Sequence, residues 1–145
     1  MASVQDLLAG KGFAVHTASP CMTALEATEL MNDRKIGAVV VMEEGRVVGM
    51  FSERDVMRRI VAGHRDPNFT YVGEVMTREI ICVPPTADLD EVSSVMKSRR
   101  IRHLPVVSED GDLMGIVSLG DLNAFYSGNQ ANQIEWVSEY VFGRA

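Results

Sequence analysis

The fold of this chain follows from one stretch, Ile101-Arg102-His103-Leu104-Pro105-Val106-Val107, which leads on to Gly115-Ile116-Val117-Ser118-Leu119-Gly120-Asp121. The first run is apolar and β-branched, which predicts a short buried strand. The residues between the two runs have turn composition, so the runs should pair as a hairpin. Ser118 and Asp121 have the spacing of a capping box, which predicts that the second strand continues directly into a helix.

The same pattern occurs earlier in the chain, from Ile36 to Asp55. Pro20 and Pro85 are separated by 65 positions, whereas Asp55 and Asp121 are separated by 66. A nearly constant offset over about fifty positions indicates an internal repeat. Two copies are too few for an open solenoid. We therefore predict an α+β fold in which two β-α-β-β-α repeats pack by their sheets about a pseudo-two-fold axis.

The repeat divides the chain into five segments. These are a leading helix (residues 1–12), repeat 1 (13–65), a linker with a short helix (66–76), repeat 2 (77–127) and a C-terminal helical tail (128–145). The tail has one apolar helical face with aromatic residues beside it. Such a helix can pack on its own module or on a second subunit, and the sequence leaves both possibilities open.

The doubled Gly-x-x-Ser-x-x-Asp motif resembles the cystathionine-β-synthase (CBS) domain pair, or Bateman module. The motif residues are Gly49, Ser52 and Asp55, then Gly115, Ser118 and Asp121. The phrases Ser52-Glu53-Arg54-Asp55 and Arg102-His103-Leu104-Pro105-Val106 are similar to small stand-alone bacterial members of that family. The resemblance covers residues 13–127. It implies a regulatory module that binds adenosine-containing nucleotides (AMP, ADP, ATP or related) in the cleft between repeats and requires no cofactor.

Each Ser-x-x-Asp pair has two interpretations, and the two are compatible. Capping alone explains the spacing and contributes ~1 kcal/mol at each helix start. Alternatively, Asp55 and Asp121 accept hydrogen bonds from ribose hydroxyls, while Ser52, Ser118 and the helix amides face phosphate oxygens. The glycine three residues before each serine favours ligand binding, because a position without a side chain allows a close approach to the strand.

The repeats differ at the start of their second strand, where Gly37-Ala38 in the first corresponds to Arg102-His103 in the second. The resemblance implies that basic residues at this position reach nucleotide phosphates. We therefore predict one dominant site. Its predicted residues are Asp121 for the ribose, with Asp55 as the second choice, and Arg102, His103 and Arg78 for the phosphates.

The resemblance also implies that the segment before the first long helix of each repeat contacts the adenine edge. The residues concerned are Thr17 and Ala18 in repeat 1, and Cys82, Val83 and Pro84 in repeat 2. The segments lie outside any predicted helix, so their backbone groups are free for such contacts. The alternative interpretation is a simple turn that precedes the helix, and both can hold together.

The composition fits a small anionic ligand. The chain of 145 residues has a formal net charge of −6, which argues against a nucleic-acid partner. The positive charge is concentrated in Arg99-Arg100-Arg102-His103 and in Arg58-Arg59. Cys21 and Cys82 occupy non-equivalent positions in the repeats, so we expect reduced packing residues rather than a disulfide or metal site.

The sequence contains no motif for catalysis, so we expect no enzymatic activity and no catalytic residues. We found no apolar stretch long enough for a signal peptide or a membrane span, and we expect a cytoplasmic location. Two hypotheses remain. The chain is either a nucleotide sensor that acts on an unidentified regulated protein, or a dimeric interaction scaffold with vestigial nucleotide sites. In both cases a homodimer is expected.

Overall fold

The computed structural model describes residues 1–128, so the predicted C-terminal tail lies outside the described residues except for Gly128. Within residues 1–128, no helix is both long enough and apolar enough to cross a membrane. Two further helical turns accompany the named elements, a π-helical turn at Val56–Val61 and a 3-10 turn at Pro67–Phe69. The elements are α1 (Val4–Lys11), β1 (Thr17–Ala18), α2 (Ala24–Arg34), β2 (Ala38–Glu43), β3 (Arg46–Ser52), α3 (Glu53–Asp55), α4 (Val72–Val75), α5 (Leu89–Arg99), β4 (His103–Val107), β5 (Leu113–Ser118) and α6 (Leu119–Tyr126).

The two sheets are related but not identical. In repeat 1, β1 pairs in parallel with β2, and β2 pairs antiparallel with β3. In repeat 2, β4 and β5 form the equivalent antiparallel hairpin. The position of β1 is taken there by a single parallel bridge between Val83 and Val106. Both hairpins were predicted from their apolar runs, and both contain a register shift before the turn.

The helices begin and end at equivalent residues in the two repeats. α2 starts with a capping box in which Thr23 and Glu26 satisfy each other's backbone N–H groups. Asp88 is the N-cap residue of α5, and its side chain accepts a hydrogen bond from the backbone N–H of Asp90. The C-cap residues of α2 and α5 are Lys35 and Arg100. Their φ angles are 56° and 54°, in the left-handed conformation that often terminates helices.

Each repeat is completed by the short helix that precedes the other repeat. α1 buries Val4, Leu7 and Leu8 in the core of repeat 2. α4 buries Val72 and Val75 in the core of repeat 1. The exchange is reinforced by backbone hydrogen bonds, among them Val4 N–H to Ala87 C=O at 2.9 Å and Val72 N–H to Met22 C=O at 2.8 Å. The two repeats therefore cannot separate without exposing both cores.

The two sheets also meet face to face. Val40 and Met50 of repeat 1 are buried together with Ala38, and Leu113 and Ile116 of repeat 2 pack against them. Burial of apolar side chains between the sheets stabilises their association. The predicted α+β architecture of two packed repeats is confirmed.

Candidate functional site

A cavity of about 580 Å³ opens between the repeats at the carboxyl end of β3. Repeat 1 contributes the start of β2 and the end of β3 with the turn that follows it, and repeat 2 contributes the end of α5 and the start of β4. The residues that line the cavity are Gly37, Ala38, Met50, Ser52, Glu53, Arg54, Asp55, Arg58, Arg59, Thr77, Glu79, Ile80, Ile81, Arg99, Arg100, Ile101, Arg102 and His103.

Asp55 is the most buried charged group of this cavity, with only 5% of its surface exposed. Its Oδ2 accepts from the Ser52 N–H at 2.9 Å and from the Ser52 hydroxyl at 3.2 Å. Its Oδ1 accepts from the Thr77 hydroxyl at 3.0 Å, and the Nε of Arg59 lies 3.7 Å away. A buried carboxylate must be surrounded by donors in this way. Two of these donors are neutral hydroxyls, which can rotate toward another acceptor.

Arginines make up half of the polar residues that line the cavity. Arg54 donates to the Arg100 carbonyl across the cleft at 3.3 Å, and Arg59 donates to the Met76 carbonyl at 2.8 Å. The other arginine side chains of the wall have no ion pair or hydrogen bond with any residue in 1–128; they are Arg58, Arg99, Arg100 and Arg102. Six arginines face three carboxylates here, so the wall carries an excess of positive charge. The two basic clusters seen in the sequence thus meet at one cavity.

The second Ser-x-x-Asp pair has a different environment. Asp121 Oδ2 accepts from the Ser118 N–H at 2.8 Å and from the ammonium group of Lys11 at 2.5 Å. The same ammonium group also donates to the Ile116 carbonyl at 2.6 Å. Desolvation raises the pKa of Asp121, but its hydrogen bonds to Lys11 and Ser118 outweigh this effect, so that the pKa is lowered overall. Asp121 does not line the cavity that contains Arg102 and His103.

His103 lies half-buried on the repeat 2 side of the cavity. Desolvation lowers its pKa below the ordinary value of 6.5, and nearby Lys11 and Arg102 act in the same direction. Glu53 and Asp121 oppose this effect without cancelling it. His103 is therefore neutral at pH 7 and available as a hydrogen-bond donor to an anion.

The motif glycines leave space that other residues of the same chain fill. A Cβ atom on Gly49 would lie 2.7 Å from the Thr77 carbonyl oxygen. A Cβ atom on Gly115 would lie 2.9 Å from a methyl group of Leu8. Both neighbours belong to the segments that cross from the other repeat. The sequence argument that these glycines favour ligand approach is therefore wrong.

The helix amides are also partly used by the protein. The first amide after β3, that of Glu53, donates to the Gly37 carbonyl at 3.0 Å. The equivalent amide of Leu119 donates to the Arg102 carbonyl at 2.8 Å. The first amide of each helix is therefore paired with a carbonyl group of the chain itself. Arginine side chains and His103 are donors that line the cavity.

Several sequence-predicted site residues lie away from the cavity. Arg78 donates to the Gly73 carbonyl at 2.9 Å. The N–H and C=O of Val83 are both paired with β4, at 3.0 and 2.9 Å, so they are not free for an adenine edge. The others outside the cavity lining are Thr17, Ala18, Cys82 and Pro84, of which Thr17 and Ala18 pair with β2.

The cysteines are not packing residues, contrary to expectation. Cys21 and Cys82 are both exposed free thiols. Partial desolvation raises the pKa of the Cys82 thiol, which lowers its thiolate fraction at neutral pH. No group of three or more candidate metal ligands occurs within residues 1–128.

Sequence reasoning missed two contacts of the motif carboxylates, Thr77 and Lys11. Lys11 belongs to the leading helix and contacts Asp121 of repeat 2, whereas Thr77 is the first residue of repeat 2 and contacts Asp55 of repeat 1. The packing of α1 on repeat 2 and of α4 on repeat 1 has no local signal in the sequence. The apolar residues Ile80 and Ile81 were missed for the same reason.

The chain is similar to known proteins in both sequence and structure. The family model "CBS domain" matches residues 14–62 and 72–128. CBS domain-containing protein YhcV of Bacillus subtilis is 38% identical over 131 residues, which span 90% of each chain. A protein with CBS domains from Burkholderia ambifaria MC40-6 is similar in structure, with a TM-score of 0.85 and 32% identity over 89% of this chain and 96% of that chain. The CBS domain pair of protein MJ0100, solved with 5′-methylthioadenosine and S-adenosyl-L-methionine, has a TM-score of 0.78 at 24% identity and covers 89% of this chain and 98% of its own.

Proposed function

Because this chain belongs to the CBS domain family, with two CBS domains in tandem, we propose that it is a regulatory module that binds an adenosine nucleotide in the cavity between the repeats. The observation that carries the proposal is the combination of one buried carboxylate, Asp55, with arginines from both repeats that have no ion pair within residues 1–128, all at a single cavity. A ribose phosphate needs this combination of an acceptor and several cationic donors.

In this proposal the ribose binds to Asp55 rather than to Asp121. The hydroxyls of Thr77 and Ser52 already donate to the Asp55 carboxylate, at 3.0 and 3.2 Å. Ribose hydroxyls can replace them as donors without any change of charge, because Ser and Thr hydroxyls rotate freely to other acceptors. At Asp121, by contrast, the ligand has to displace the ammonium group of Lys11, and the charged pair is lost.

The phosphates bind to the arginines on the two sides of the cleft. Arg58 comes from repeat 1, whereas Arg99 and Arg102 come from repeat 2, so a phosphate chain between them contacts both repeats. Like charges facing one cavity repel each other, and an anion removes that repulsion. His103 is neutral at pH 7 and donates a further hydrogen bond.

The base occupies the apolar part of the same cavity. Met50, Ile80 and Ile81 supply apolar surface beside the carboxylate. Ligand sites commonly combine apolar walls with a few placed polar groups. The base therefore contacts residues 80–81 at the entrance to repeat 2, rather than Val83 and Pro84.

The charge of the wall favours a nucleotide with several phosphates. In the MJ0100 complex the bound molecules are methylthioadenosine, which is neutral, and S-adenosylmethionine, which carries a sulfonium cation. The wall of this cavity has three more arginines than carboxylates. We expect ATP and ADP to bind more tightly than AMP, and AMP more tightly than either of those two ligands.

Thermal unfolding with added ligand tests the proposal. A ligand present at 100 times its dissociation constant stabilises the folded state by about 2.7 kcal/mol. We expect the unfolding temperature to rise most with ATP and least with S-adenosylmethionine. No rise with any adenosine compound at millimolar concentration would refute nucleotide binding and favour the scaffold function.

The regulated partner and the homodimer belong to the same proposal. Met57 and Val61, which are 56% and 67% exposed, give the π-helical turn an apolar outer face next to the cavity. The occupancy of the cavity can be transmitted there, because Arg58 and Arg59 lie on the same turn. Light scattering with and without ATP measures the assembly, and a monomer at micromolar concentration in both conditions contradicts the homodimer.

A further inference from the structure

The two Ser-x-x-Asp carboxylates differ in what the chain itself provides to them. Asp55 receives a neutral hydroxyl from Thr77 at 3.0 Å, whereas Asp121 receives the ammonium group of Lys11 at 2.5 Å. Lys11 is the last residue of α1, and Thr77 lies two positions after the end of α4, so each is positioned by the short helix that crosses from the other repeat. The pseudo-two-fold axis thus relates two carboxylates with chemically different partners.

We propose that Lys11 acts as an internal occupant of the Asp121 site and limits the module to one nucleotide per chain. The inference rests on the proposed function, since it assumes that the equivalent carboxylate Asp55 binds ribose. The amino group of Lys11 supplies the hydrogen bonds that ribose hydroxyls supply at Asp55. It satisfies two acceptors at once, Asp121 Oδ2 and the Ile116 carbonyl.

The position of Lys11 is fixed by the packing of α1. Leu7 and Leu8 are buried in the core of repeat 2, and a methyl group of Leu8 fills the space that the missing side chain of Gly115 leaves. Lys11 lies one turn further along the helix, which directs its side chain toward the start of α6. The Lys11 side chain is 30% exposed and that of Asp121 is 23% exposed. The pair is therefore screened from water more than a surface ion pair is.

A ligand at Asp121 has to break this pair of 2.5 Å, whereas a ligand at Asp55 exchanges one hydroxyl for another and leaves the longer Arg59–Asp55 contact of 3.7 Å in place. Gly37 and Ala38 in repeat 1 correspond to Arg102 and His103, so an opened Asp121 site also lacks those phosphate donors. The nucleoside part is thus the probe that suits the opened site. Replacing Lys11 by alanine removes both the charge and the side-chain stem.

Residue-resolved NMR of the full chain tests this inference, with ATP and adenosine as probes. In the wild type, ATP shifts the amide signals of residues 52–55, and adenosine at millimolar concentration leaves those of 118–121 unmoved. In Lys11→Ala, adenosine moves the signals of residues 118–121 in a saturable way. Lys11→Arg, which keeps the cation, behaves like the wild type.

The outcomes separate the two proposals. If residues 52–55 do not respond to ATP in the wild type, the proposed function fails whatever Lys11 does. If residues 118–121 already saturate with adenosine in the wild type, or remain unmoved in Lys11→Ala, the role of Lys11 is refuted. Lys11→Met retains most of the stem and is measured in parallel. If Lys11→Ala does not fold, a saturable shift in Lys11→Met supports the inference and its absence refutes it.

Discussion

The hydroxyl of Thr77, the first residue of repeat 2, donates to the Asp55 carboxylate of repeat 1 at 3.0 Å. The backbone of Thr77 also pairs with β3, through N–H and C=O bonds to Met50 of 2.8 and 2.9 Å. One residue thus joins the candidate ribose carboxylate to the chain that crosses between repeats. The state of the cavity is thereby connected with the packing of the two halves.

Thr77→Val should destabilise the protein because it removes one donor from a buried carboxylate. The expected loss is about 1.5 kcal/mol, at the lower end for a charged partner, because the cavity allows water to replace the hydroxyl. Urea unfolding measures it. Thr28→Val is the matched control, since the Thr28 hydroxyl donates only to the Ala24 carbonyl of its own helix. Equal losses in the two variants contradict a special role for Thr77.

The motif glycines should differ in their tolerance of alanine. In Gly49→Ala the new Cβ meets the backbone oxygen of Thr77 at 2.7 Å, and in Gly115→Ala it meets the side chain of Leu8 at 2.9 Å. Overpacking typically costs about 1–3 kcal/mol, and a side chain can adjust more easily than a backbone. We expect Gly49→Ala to lose more stability in urea unfolding. The reverse order contradicts this assignment.

His103 should make the stability depend on pH. Its pKa is lower in the folded protein than the ordinary 6.5, so the unfolded chain binds the proton more readily. Stability is therefore fully present above pH 6.5 and decreases as the pH falls below it. His103→Gln should weaken this dependence in thermal unfolding between pH 7.5 and 5.5. An unchanged profile in His103→Gln contradicts the assignment.

Arg102→Ala should weaken ATP binding without affecting adenosine. A hydrogen bond to a charged group contributes about 1.5–3 kcal/mol, which corresponds to roughly ten- to a hundredfold in the dissociation constant. Arg78→Ala is the matched control, because Arg78 lies outside the cavity and donates to Gly73. Calorimetry with both ligands measures the difference. Equal losses for ATP and adenosine in Arg102→Ala exclude a phosphate contact.

The fold could be predicted from the sequence because the patterns that indicate it occur twice. The offset between Asp55 and Asp121 and the two apolar hairpins were local patterns that occurred twice, and each supported the other. The capping box of Ser118 and Asp121 was also a local pattern, since its two residues are only three positions apart.

The surroundings of the site were predicted less well because they depend on tertiary contacts. Both basic clusters were visible in the sequence, but only the folded chain brings Arg58 close to Arg99 and Arg102. The exchange of α1 and α4 between repeats places Lys11 and Thr77 at the motif carboxylates, and no periodic pattern shows which repeat a short helix packs on. The sequence analysis assigned the ribose to Asp121 because Asp121 belongs to the same repeat as Arg102 and His103. In the structure these two basic residues line the same cavity as Asp55, on the other side of the cleft.

The most direct test of the account compares two equivalent variants, Asp55→Asn and Asp121→Asn, by calorimetry with ATP at pH 7. Each substitution keeps the side-chain shape and removes one negative charge at the same motif position, and circular dichroism checks that both variants fold. We predict that Asp55→Asn weakens ATP binding by roughly ten- to a hundredfold, the loss of a charged hydrogen-bond partner, and that Asp121→Asn changes it less than about twofold. A larger loss in Asp121→Asn than in Asp55→Asn would contradict the account.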